Sequence, residues 1–166
     1  MDTEPRIYVA SLSDYNAGNL HGAWINCNQD SEDIMDEIEL MLEDSKVKGA
    51  EEWAIHDYEN FGEFNLSEYE SIETVSELAN LIVEHGEVFA DFVSYQGRFT
   101  DKSESDFEES YVGEYDSELA FATECFDEMY PDQKYVDYKS YKRDLFCGDF
   151  FSLSAPNYKV YIFRSN

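Results

Sequence analysis

The 166-residue chain holds 38 Asp and Glu against 11 Lys and Arg, a formal net charge of -27, together with 27 Phe, Tyr and Trp. Aromatics in this number exclude a disordered acidic tail, which keeps its charge by giving up the side chains that build a core. The charge therefore belongs to a folded surface, one that repels nucleic acid and attracts what normally binds it. No apolar run reaches the ~18 to 20 residues of a membrane span, and Met1 to Ala10 lacks the pattern of a leader, so a soluble cytoplasmic protein is expected. Cys27, Cys125 and Cys147 form no C-x-x-C and predict packed, reduced thiols.

In chain order, Arg6 to Leu12 predicts a strand, Asn16 to Asn19 a turn and Leu20 to Cys27 a second strand, a hairpin. Asp30 or Ser31 caps a helix running to about Asp44, with Ile34, Ile38, Met41 and Leu42 on one face and acids on the other. Glu51 to Glu59 returns as a strand, Trp53 and Ile55 on one side and Ala54, His56 and Tyr58 on the opposite one. Beyond Asn60 to Gly62, Ser67 and Glu70 suggest a capping box for a helix that carries Ile72, Val75, Leu78 and Ile82 and stops at His85-Gly86. A shorter helix, about Glu87 to Tyr95, ends at Gly97, and the polar segment from Arg98 to Ser105 marks a boundary. After it a strand is predicted around Phe107 to Gly113, a helix from Ser117 to about Met129 and a helical piece near Val136 to Leu145. Strands Asp149 to Ser154 and Tyr158 to Arg164 close the chain around an Ala155-Pro156-Asn157 turn. The predicted class is α+β in three small units: ββαβ over 1–61, a short helical bundle over 62–103, and an αβ unit with closing antiparallel strands over 104–166.

Charge is unbroken along this plan. No Lys or Arg falls between Arg6 and Lys46, from Gly49 to Gly97, or from Ser103 to Gln133, stretches that carry nine, twelve and eleven acids. Carboxylates this abundant define no particular acid and base pair, and His21, His56 and His85 stand far apart with no nucleophile motif beside them. There is no Gly-rich phosphate loop. The nearest calcium-loop phase, from Asn28, puts Asp33 where the turn glycine is required, and a second from Asp101 puts Val112 where the bidentate Glu belongs. No enzyme, cofactor or metal site is expected. Duplex DNA carries about one charge per 1.7 Å of axis, so the net charge of -27 equals that of roughly 46 Å of duplex.

Three segments resemble the ArdA antirestriction family: Ile7-Tyr8-Val9-Ala10 with Tyr15-Asn16, Gly18 and Leu20 to Trp24; Glu51-Glu52-Trp53-Ala54-Ile55-His56-Asp57-Tyr58-Glu59; and Asp137-Tyr138 with Tyr141 and Arg143-Asp144-Leu145. Lys142 departs from the family pattern, which has Gly there. The resemblance implies an elongated homodimeric DNA mimic without catalysis, whose carboxylates imitate the phosphates of bent duplex DNA. Its partner would be a type I restriction-modification enzyme, on the specificity and modification subunits, with no small-molecule substrate. Candidate phosphate-mimicking acids are Glu32, Asp33, Asp36, Glu37, Glu63, Glu68, Glu70, Glu73, Glu77, Glu104, Asp106, Glu108, Glu109, Glu114, Asp116 and Glu118. By position, the family's dimer motif falls on Glu124 to Val136, which makes Glu124, Cys125, Phe126, Met129, Tyr130, Tyr135 and Val136 the candidate interface. The alternative is an acidic module that neutralises another basic DNA-binding protein.

Overall fold

A computed structural model describes residues 4–165, in two compact units divided between Thr100 and Asp101, with exposed Arg98 and Lys102 flanking the division. The fold is α+β, with an antiparallel three-stranded sheet in each unit. Among the described residues no helix is long and apolar enough to cross a membrane.

The first unit runs β1 (Arg6–Ser11), α1 (Leu12–Asn16), β2 (Gly22–Asn26), α2 (Ser31–Glu43), β3 (Trp53–Glu59), α3 (Ile72–His85) and α4 (Glu87–Gln96). The strands lie in the order β2-β1-β3. Ile7 opposes Ile25 on one side and Tyr58 on the other, and α2 lays Ile34, Ile38 and Met41 over β1 and β2. Burying apolar positions three and four apart is what makes this very acidic segment a helix at all. α3 and α4 pack through Val75, Leu78, Ile82, Phe89 and Phe92, all buried, and Ser76 Oγ ties α3 back to the Gln29 carbonyl at 2.6 Å.

Three local expectations change here. The predicted hairpin holds an extra turn, α1, where the Ser11 side chain accepts from the Asp14 N–H and the Asp14 carbonyl accepts from Ala17 and Asn19. Ser67 and Glu70 close a turn rather than start a helix. Glu70 N–H reaches the Ser67 carbonyl at 3.1 Å, and α3 starts one turn later under Ser71, whose hydroxyl accepts from Thr74 N–H. In β3 the pairing slips, so that Val9 opposes Ile55 and Tyr8 opposes Asp57, leaving His56 as a bulge. An extra residue resets the period-two alternation, so Tyr58 shares the face of Ile55 instead of opposing it. There it meets Phe61 edge-on, with centroids 6.0 Å apart.

The second unit runs α5 (Ser103–Ser110), β4 (Tyr111–Tyr115), α6 (Glu118–Met129), α7 (Tyr138–Leu145), β5 (Phe150–Ser154) and β6 (Val160–Arg164), with strand order β4-β6-β5. The strand expected around Phe107 to Gly113 is a helix as far as Ser110. Ser103, Phe107 and Ser110, at helical spacing, turn inward while Glu108 and Glu109 turn out. On one sheet face Phe163 stacks on Phe151 at 5.1 Å and meets Tyr111 and Phe107. α6 contributes Phe121, which lies between Tyr115 at 4.9 Å and Phe150 at 5.0 Å. Its other large ring, Phe126, packs on Tyr138 and Tyr141 of α7.

Candidate partner-binding surface

On α2, Glu32, Asp33, Asp36 and Glu37 all point to solvent, and so do Glu39 and Glu43, which continue the same stripe. At 1.5 Å rise per residue they present about one carboxylate per 3 Å of helix. One strand of duplex DNA presents about one per 3.4 Å. This density opposes helix stability. Glu32 with Asp36, Asp33 with Glu37 and Glu39 with Glu43 are like charges four residues apart, each destabilising by ~0.2–0.5 kcal/mol. Glu43 and Asp44 also sit at the negative end of the helix with no basic residue in the last turn. The buried Ile34, Ile38 and Met41, with hydrogen bonds from His21 to the Met41 carbonyl and from Gln29 to the Glu37 carboxylate, hold the segment in place.

Glu63, Glu68, Glu73 and Glu77 are also exposed, whereas Glu70 is half-buried. The Glu63 loop is anchored by α4: its N–H donates to the Asp91 carboxylate at 2.9 Å and its carbonyl accepts from Ser94 Oγ at 2.9 Å. Glu73 has its carboxyl held below the ordinary value by the backbone N–H of the first turn and then by the Ser71 hydroxyl, so it is firmly ionised. Glu70 accepts from the Ser67 N–H, and Glu68 lies 4.0 Å from His56.

In the second unit α5 carries Glu104, Asp106, Glu108 and Glu109, while Glu114 and Asp116 follow along and after β4. Asp116 and Glu118 are engaged inside the unit. Asp116 lies 3.8 Å from Lys159 Nζ; Glu118 accepts from Ser152 Oγ at 2.7 Å and lies 4.0 Å from Lys142. Of the expected dimer residues, Glu124, Cys125, Phe126 and Met129 lie on α6 and Tyr130, Tyr135 and Val136 follow it, with Met129 63%, Tyr130 50% and Tyr135 102% exposed. Phe126, which packs on Tyr130 at 4.9 Å, Cys125 and Val136 are half-buried, and Glu124 is exposed. Tyr135 has φ +61°, a conformation few side chains adopt, which lifts its ring clear of the unit.

Of the cysteines expected to be packed, Cys147 is exposed, Cys27 is buried and Cys125 is half-buried, and His56 lies on the surface 4.0 Å from Glu68. His21 Nε2 bonds the Met41 carbonyl at 2.7 Å, and the His85 ring packs on Phe89. Burial pushes the Cys27 thiol up to about 12, and burial with Glu124 and Glu128 raises Cys125, so both thiols resist ionisation. An open cavity of about 710 Å³ at the end of α2 is lined by Glu39, Leu42, Glu43, Lys46, Lys48 and Glu51, without histidine or cysteine.

No curated protein matches the chain at a significant level. The model of the family described as antirestriction protein (ArdA) matches residues 7–159, which span β1 through the β5–β6 turn and so include both units. The chain therefore belongs to the ArdA family of antirestriction proteins, which act by inhibiting restriction enzymes rather than by catalysis.

Proposed function

We propose that the chain is a DNA mimic that occupies the DNA-binding groove of a type I restriction-modification enzyme, across its specificity and modification subunits, and so blocks restriction. The observation that carries this reading is the α2 stripe, where six exposed carboxylates match the charge spacing of one DNA strand and no Lys or Arg interrupts them. A groove that binds phosphate through Arg and Lys reads charge and spacing largely without the bases, so an acidic helix at that spacing competes for the same contacts. Glu73 and Glu77 add exposed acids within the first unit, and Glu108 and Glu109 of α5 give the second unit exposed charge of its own. The α6 tip, with Met129, Tyr130 and Tyr135, is the contact through which two copies pair. The site of action is the cytoplasm, where mobile DNA meets the enzyme.

The test is competition. A type I methyltransferase is bound to labelled duplex DNA and titrated with the chain at several salt concentrations. Displacement is expected to weaken steeply with salt. Single Glu→Gln changes on α2 should cost about twofold or less, whereas neutralising Glu32, Asp33, Asp36 and Glu37 together should cost at least about a hundredfold, because the energy is spread over many weak contacts. A histone-like basic protein serves as the competing target. Equal binding to it and to the methyltransferase would favour a general neutraliser of basic proteins and reject the mimic.

A further inference from the structure

Beside the acidic stripe, the first unit has a cavity of about 290 Å³ between α2, β3 and the start of α3, lined by Met35, Trp53, Tyr69, Ile72, Glu70 and Glu73. Its lining is aromatic, apolar and anionic, with no cation in it. Both carboxylates are held in place, Glu73 by the Ser71 hydroxyl at 2.8 Å and Glu70 by the Ser67 N–H at 3.2 Å. Tyr69 is 70% exposed, an unusual position for a ring with no core role.

The same unit shows what such a set of groups holds. On the sheet's outer face Arg6 Nε donates to the Glu59 carboxylate at 2.7 Å while its guanidinium lies 4.9 Å over the Trp24 ring. A carboxylate that fixes the fork and a tryptophan face that receives the plane form a guanidinium seat. Trp53, Tyr69, Glu70 and Glu73 repeat that combination around an open space. The start of α3 contributes about half a positive charge, which two full carboxylates outweigh. Lysine would satisfy the charge but not the stacking, so the chemistry favours arginine.

We propose that this cavity receives an arginine side chain of the partner protein and acts as a localised anchor within an otherwise diffuse electrostatic surface. The proposal rests on the reading that the partner is a basic DNA-binding protein. Its experiment has two arms. In the first, the full chain is followed by NMR during titration with N-acetylarginine amide, and in parallel with the neutral isostere N-acetylcitrulline amide. Arginine should shift the Trp53 indole N–H and the amides of Tyr69 to Glu73 more than any other acidic segment, citrulline should not, and Glu70→Gln with Glu73→Gln should abolish the effect. Equal shifts with citrulline, or arginine shifts spread evenly over the acidic surface, would overturn the proposal. In the second arm Tyr69→Ala, which leaves net charge and core unchanged, should weaken displacement of DNA from the methyltransferase about tenfold with the same salt slope. Tyr95→Ala, at a ring 59% exposed and outside the cavity, is the control and should change nothing. A Tyr69→Ala protein that competes like wild type would remove the anchor. If the wild-type chain fails to displace DNA at all, the functional reading falls, and the arginine titration still decides the cavity.

Discussion

Replacing Glu43 with lysine reverses the charge at the end of α2, where the chain works hardest against its own helix. Glu43 lies four residues after Glu39, beside Asp44, at a C-terminus with no basic residue in its last turn. Removing the Glu39 repulsion is worth ~0.2–0.5 kcal/mol, and attraction between Glu39 and the introduced ammonium adds a similar amount. Exchanging an anion for a cation at the negative helix end adds ~0.6–2 kcal/mol. Together the Glu43→Lys variant should gain about 1–3 kcal/mol at low ionic strength. At this chain length that corresponds to a thermal midpoint raised by roughly 3–8 °C. Melting is followed by far-UV circular dichroism at about 10 mM salt, where the Debye length is ~30 Å, and again near 1 M, where it is ~3 Å. The gain should shrink by more than half in high salt, and Glu43→Gln should show an intermediate gain. A midpoint unchanged or lowered at low salt would refute the idea that the acidic stripe is maintained against helix stability. A gain that persists undiminished in high salt would assign it to packing.

For the wild-type chain, added salt should raise the thermal midpoint, because screening relieves the repulsion that accompanies a net charge of -27; a flat or falling midpoint would contradict this. Phe121→Ala should destabilise the second unit by ~3–5 kcal/mol and abolish its near-UV aromatic signal, since the ring is buried between Tyr115, Phe146 and Phe150. Asp91 gives a signed pH test. Burial, with Glu63 and Glu87 nearby, holds its carboxyl above the ordinary 3.8 although the Glu63 N–H pulls the other way. A folded-state value above the unfolded one contributes stability that is complete below 3.8 and lost as pH rises through the raised value. Asp91→Asn keeps an acceptor for the Glu63 N–H, so it should melt higher than wild type at neutral pH. The difference should close as pH falls toward about 4, and equal midpoints at neutral pH would reject the assignment.

Much of this architecture is legible in the chain because its signals are local. Ser117 precedes a helix that it caps, Gly86 and Gly97 end α3 and α4 at φ +90° and +81°, and the apolar spacing of α2 marks its buried face. What escaped depends on partners distant in sequence or on weak side chains. The bulge at His56 is set by pairing with β1, and nothing within Glu51 to Glu59 announces the slip. Helix α5 buries two serines and one phenylalanine, so its inward face looks polar in the sequence and the segment reads as a strand. Within the acidic surface, the helical stripe of α2 was readable, and its spacing extends it to Glu39 and Glu43. The engagement of Asp116 with Lys159 and of Glu118 with Ser152 and Lys142 was not, because those partners arrive from β5, α7 and the turn before β6.

The exposed Arg98 and Lys102 on either side of the division between the units acquire a practical meaning from the long stretches around them. Trypsin cleaves only after Lys and Arg, and the chain offers it nothing from Gly49 to Gly97 or from Ser103 to Gln133. Surface loops are where proteases cut first. A brief digestion of the folded protein should therefore cut at the exposed Arg98 and Lys102 and at the loop residues Lys46, Lys48 and Lys134, and leave the long acidic stretches between them whole. The acid-rich stretches that suit a basic partner are thus also the parts of the chain that an enzyme recognising positive charge leaves intact.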